Sequence, residues 1–226
     1  MRVLLPVRPE NDCAEAARIL ESLFGHDDVS VLRLFVYRPA EVDQYDPELL
    51  TAFTGVRRMT AVEVQQAMRS SSAHCRSLVD HGFHVESAMV VGFPVGKIVV
   101  EAQRWKADLI VLHVTREKMR EARIGRIVGS LIDASPLPVL IYAAAPAGVP
   151  KDIAVVDGSE EARAWAERLA RRAGAEVRTI ADRAIGEERC DLLVMPARHH
   201  FAPSLFGSSE RRTVRDAGVP VALIPQ

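Results

Sequence analysis

The chain has 226 residues, 48% of them hydrophobic, and 29 Lys and Arg against 30 Asp and Glu. Such a length holds one large domain or two modest ones, and the nearly cancelled charge gives no global attraction to nucleic acid or acidic lipid. The longest uncharged apolar candidate, Leu137 to Pro150, is broken by Pro138, Pro146 and Gly148, which excludes a membrane span there and predicts a soluble protein without a membrane partner.

In chain order, Val3–Val7 and Ser30–Tyr37 are short apolar runs of the kind buried in a parallel sheet. Between them Asp12–Phe24 puts Ala16, Ile19, Leu20 and Leu23 on one face and stops at Gly25, as a helix does. The amino-terminal stretch is too short for a secretion signal and reads as the first strand. Residues Arg38–Thr54 suggest an exposed connection, and a long helical pattern follows from Val56 to Asp80. Strand His84–Val91, helix Lys97–Lys106, strand Leu109–Val114, helix Ile124–Ala134 and strand Val139–Tyr142 complete an α/β, doubly wound parallel sheet. A linker at 143–150 ends this first domain, 1–145.

The second domain, 150–226, restarts at Ile153–Val156, with a helix at Glu160–Ala173 and strands at Glu176–Ile180 and Leu192–Met195. A closing helix, Ser208–Ala217, and strand, Val219–Ile224, finish it. It is an abbreviated copy of the first. In both, 13 positions separate a glycine from a proline that opens an apolar run, Gly125 to Pro138 and Gly207 to Pro220. Asp108 lies 17 positions before Gly125 and Asp191 lies 16 before Gly207, so a strand–loop–helix–strand unit is duplicated. Between its second strand and this unit the second copy spends only Ala181–Cys190, having lost the long helix and third strand.

Several side chains invite a chemical reading. Cys13, Cys75 and Cys190 are odd in number, far apart and without metal-ligand spacing, which suggests reduced thiols in a cytoplasmic protein and no metal. The loop at 116–126 gathers Arg116, Lys118, Arg120, Arg123 and Arg126, either a solvated basic surface or a guanidinium site for a small anionic ligand or partner protein. Arg126 near a helix start is unfavourable unless an anion neutralises it. His199 and His200 are adjacent but lack a carboxylate or cysteine at ligand spacing, and read as exposed loop. Asp157-Gly158-Ser159 lies after a first parallel strand, where open α/β sheets place ligands, and is equally a turn and helix cap.

The segments VVGFPVGKIVVEAQRWKADLIVL, VVDGSEEA at 155–162 and GSSERRTVRDAGVPVALIP together resemble the universal stress protein family, and its tandem members in particular. The resemblance implies strand order 3-2-1-4-5 and pairing through the last strands, here as an internal pseudo-dimer, with a further homodimer open. It also implies an ATP site: an aspartate after the first strand, a glycine loop after the fourth, and a Gly-Ser or Gly-Thr pair at a helix start. In the first lobe those positions are Arg8, His113, Arg116 and Gly125-Arg126; in the second, Asp157-Gly158-Ser159 and Gly207-Ser208 remain but the loop glycines fall on Pro196 and His199. Proline has no N–H to offer a phosphate. The expectation is a non-catalytic regulatory or protective binding module with a degenerate ATP site and no required cofactor. The alternatives are an adenine-nucleotide switch built on the second lobe and a purely structural interaction protein.

Overall fold

A computed structural model of the chain describes residues 1–7, 13–37, 76–115, 126–157, 159–185, 187–197, 213–214 and 217–226. The elements run β1 (Arg2–Val7), α1 (Ala14–Phe24), β2 (Ser30–Tyr37), α2 (Arg76–Asp80), β3 (His84–Val91), α3 (Pro94–Arg104), β4 (Leu109–His113), α4 (Arg126–Ala134) and β5 (Val139–Tyr142). The second half continues with β6 (Asp152–Val156), α5 (Glu160–Ala173), β7 (Glu176–Ile180), β8 (Leu192–Ala197) and β9 (Val221–Pro225). The connection at 38–54 and the expected long helix up to residue 75 lie outside the described residues.

Among the described residues nine strands form one sheet in the order β3-β2-β1-β4-β5-β9-β8-β6-β7. The first five keep the expected 3-2-1-4-5 order, and the rest mirror it without a third strand. Every pairing is parallel except β5 with β9, which run antiparallel with Val139 opposite Leu223, Leu140 opposite Ala222 and Ile141 opposite Val221. The two terminal strands therefore cover each other's edges, and the lobes share one sheet.

Alternation along the strands sends side chains to two layers. Val3, Leu5, Leu109, Val111, Leu140, Ile153, Val194 and Ala222 pack under α1, α2 and α5, while Leu4, Ile110, Ile141, Ala154, Leu193 and Val221 pack under α3 and α4. α1 and α5 touch across the junction, where Phe24 meets the edge of Trp165 at 6.5 Å between ring centroids. The second layer also holds buried Val214, which with Thr213 is the described part of the expected closing helix.

The repeated residues have repeated jobs. The backbone N–H of Asp108 donates to Arg2 C=O while its Oδ2 accepts the Arg2 N–H at 2.7 Å. Asp191 does the same to β6: its N–H donates to Asp152 C=O, and its Oδ2 accepts the N–H groups of Lys151 at 2.8 Å and Asp152 at 3.1 Å. Each aspartate thus clamps the start of the first strand of its lobe. The two prolines sit just ahead of their strands, where only a carbonyl is required: Pro138 C=O accepts from Ile110 and Pro220 C=O from Leu193.

Boundaries differ from expectation for local reasons. α3 begins at Pro94 rather than Lys97, since proline loses nothing at a helix's first position. β9 begins after Pro220, not at Val219, while the expected start of α4 at Ile124 lies outside the described residues. β8 runs past Met195 through Pro196 to Ala197, held by parallel pairing of Pro196 with Ile224 and Ala197 with Pro225. A 3-10 turn at Asp182–Ala184 replaces the missing helix and third strand of the second lobe.

Candidate functional site

Open parallel sheets bind ligands beyond the carboxyl ends of their strands. In the first lobe that edge is formed by the ends of β1, β4 and β5. His113 closes β4 with an exposed side chain whose ring lies 5.2 Å from that of Tyr142, tilted by 41°. Tyr142 is only 1% exposed, and burial pushes its phenol above the ordinary range, with Cys13 and Glu15 adding to the shift. Cys13 precedes α1 and Glu15 lies in its first turn, where a carboxylate suits the helix dipole. Glu15 pairs with Arg18, and its Oε2 accepts the N–H of Ala145 at 3.1 Å. The chain leaving β5 is thereby tied back over α1.

In the second lobe β6 ends at Val156, and the next N–H, from Asp157, donates to Ile180 C=O at 3.0 Å. Asp157 is exposed at the carboxyl edge. Ser159 caps α5: its hydroxyl oxygen accepts the Ala162 N–H at 3.2 Å, and its O–H donates to Glu161 Oε2 at 3.1 Å. Glu160 and Glu161 supply the first-turn negative charge that this helix end attracts. The turn-and-cap reading of Asp157-Gly158-Ser159 therefore has its cap in Ser159, while Asp157 is exposed after the end of β6.

The expected loop position at Pro196 needs correcting. It is a buried residue inside β8, and the strand continues one residue beyond it. His113 closes β4, inside the expected strand Leu109–Val114. Gly158, Gly207, Ser208, Gly125 and Arg116 lie outside the described residues, as do Arg8, Cys75, His199, His200 and the loop 116–125. Arg126 is the first described residue of α4.

Among the described residues no group of three His, Cys, Asp or Glu converges to hold a metal, and no helix is long and apolar enough to cross a membrane. Cys13 and Cys190 are not joined in a disulfide. Burial, then Asp152 and Asp191, raise the Cys190 thiol against the opposing effect of Arg178. Sequence reasoning missed the Cys13, Glu15, Tyr142 and Ala145 cluster. Glu15 and Ala145 alone are 130 positions apart, and a glutamate in a first helical turn signals nothing beyond its helix.

The sheet and its two unequal halves define a doubly wound α/β protein of tandem type. Residues 1–143 match the family model of the universal stress proteins, and the chain belongs to the universal stress protein family. It is similar in fold to a universal stress protein from Archaeoglobus fulgidus DSM 4304, with TM-score 0.74 at 14% identity over 99% of this chain and 98% of the other. A functionally unknown protein from Pseudomonas aeruginosa PAO1 gives TM-score 0.65 at 14% identity, covering 99% of this chain and 92% of that one. A putative universal stress protein from Pseudomonas aeruginosa UCBPP-PA14 gives 0.61, again at 14% identity and with 99% and 92% covered. No curated protein matches the chain.

Proposed function

We propose that the protein is a non-catalytic regulatory or protective binding module of the cytoplasmic stress response, with a degenerate ATP site. The observation that supports this reading is Pro196. The family resemblance puts a phosphate-cradling glycine there, whereas this chain has a buried strand residue with no N–H. In the other lobe the corresponding glycine is His113, whose ring lies against Tyr142. Calorimetry with Mg-ATP should give no binding tighter than about tens of micromolar, the affinity left when a few hydrogen bonds are removed. A submicromolar constant would overturn the reading.

Asp157 favours a second reading. Exposed at the carboxyl end of β6, it stands where an adenine contact belongs, so a nucleotide switch would use Asp157, Gly158, Ser159, Gly207 and Ser208. Adenine nucleotide released from denatured, freshly purified protein and detected by mass spectrometry would support this switch. The basic segment with Arg116 and Gly125-Arg126 extends the first reading to an anionic ligand or partner. Such binding should fall steeply with salt, since exposed charges are screened within about 10 Å at 0.1 M.

A further inference from the structure

The inner face of α3 is accounted for by the core: Pro94, Ile98 and Ala102 are buried, and Val95 and Val99 pack beside them. Its outer face lacks the polar character that water favours. Phe93, at the cap position, is 83% exposed and Val100 is 54% exposed. Gly96 lies between them at steps of three and four residues, so the three form one stripe along the outside of the helix. Nothing within the chain calls for glycine at this position. Its φ lies outside the left-handed region, and a Cβ there would meet no atom within 4 Å. What the glycine leaves is a recess in the helix surface, one turn from the projecting Val100.

We propose that this stripe is the contact through which two copies of the chain pair, α3 against α3, antiparallel about a twofold axis. The surface complements itself, which selects a second copy over a different partner. Antiparallel packing about a point between Ile98 and Val99 puts Val100 of each copy over the Gly96 recess of the other, and Phe93 against the last turn at Gln103 and Arg104. A parallel pair would set Val100 on Val100 and leave both recesses empty. Charge follows the same symmetry. Lys97 and Glu101 lie one turn apart on one flank of the stripe, so each Lys97 comes beside Glu101 of the other copy. Lys97 has no ion-pair partner among the described residues, and Glu101 meets Arg104 only at 3.8 Å. The β5 edge is already covered by β9 within the chain, so this pairing leaves the sheet untouched. One helical stripe is smaller than the roughly 800 Å² per partner of a standard interface, and the dimer is accordingly weak.

Sedimentation equilibrium of the full chain, from about 10 μM to about 1 mM, should show monomer and dimer exchanging with a dissociation constant of about 100 μM. Gly96→Leu fills the recess and should raise that constant at least about tenfold. Its urea midpoint should be no lower than that of the unsubstituted chain, because leucine favours a helix more than glycine does and the position is open. Lys97→Glu and Glu101→Lys place like charges at both crossings and should each stay monomeric over the same range. Their equimolar mixture should recover the dimer, since every crossing then joins opposite charges again, a result that loss of fold in either variant could not give. A monomer throughout for the unsubstituted chain, a dimer that Gly96→Leu leaves intact, or a mixture no more dimeric than either variant alone would each overturn the proposal.

Discussion

Replacing Asp191 by alanine tests whether the repeated aspartates hold the two lobes' first strands. Asp191 Oδ2 accepts two backbone N–H groups, at 2.8 and 3.1 Å, whereas Asp108 Oδ2 accepts one at 2.7 Å. Hydrogen bonds to a charged acceptor contribute about 1.5–3 kcal/mol when enclosed, and water can replace part of that at these exposed strand starts. Discounting for exposure leaves about 1 kcal/mol per bond, so Asp191→Ala should cost about 2 kcal/mol and Asp108→Ala about 1 kcal/mol. Asparagine keeps the acceptor oxygen and loses only the charge, so Asp191→Asn should recover roughly half of the loss. Urea unfolding followed by ellipticity measures all three. The reasoning fails if Asp191→Ala lies within about 0.5 kcal/mol of the unsubstituted protein, as neutral surface changes do, or if Asp108→Ala costs as much as Asp191→Ala.

Ser159→Ala removes the cap that receives the Ala162 N–H and should cost about 1 kcal/mol in the same assay, with Ser159→Asp largely restoring it. Residues 1–145 expressed alone expose the β5 edge that β9 covers, so sedimentation should find a dimer or aggregate rather than a monomer. Tyr142 gives a pH dependence: burial raises its phenol, so the unfolded chain loses that proton first as pH climbs through about 10. Its stabilising contribution is complete below that value and is lost as pH rises toward the folded value. Urea midpoints measured between about pH 9 and 11 should therefore fall less steeply for Tyr142→Phe, and parallel slopes would refute the assignment.

The sheet was legible because its signals are local and repeated. Continuous apolar runs marked the strands, Gly25 marked a helix end with positive φ, and equal spacing revealed the duplication. The pairing of the terminal strands was legible from the family resemblance and from two short apolar strands that each needed an edge covered, whereas its antiparallel sense was not. Pro196 was misplaced in a loop because the family resemblance puts a loop glycine at that position. Here β9 accepts it, since parallel pairing with Ile224 continues past the point where β6 pairs last, at Val155 with Val194. The clamps of Asp108 and Asp191 were visible as positions but not as contacts. The site was less legible still, because its identity rests on which residues the folded strands bring to one edge.

The missing third strand of the second lobe is matched by the strand left at the border. In the first lobe β2 lies between β1 and β3, and its Val31, Leu32 and Leu34 are buried. Its counterpart β7 pairs with β6 alone and reads Glu-Val-Arg-Thr-Ile, with Glu176 and Thr179 exposed. A strand that had merely lost its neighbour would keep the apolar pattern of β2 and present a sticky edge. Instead Arg178 is clasped by Asp152, Glu188 and the Arg189 carbonyl, and Arg163 of α5 reaches down to the Thr179 hydroxyl. These polar ties anchor β7 to the strand, loop and helix beside it and put charge along its border. The abbreviated lobe can end at β7 because its other flank, β9, draws its core from the lobe next door.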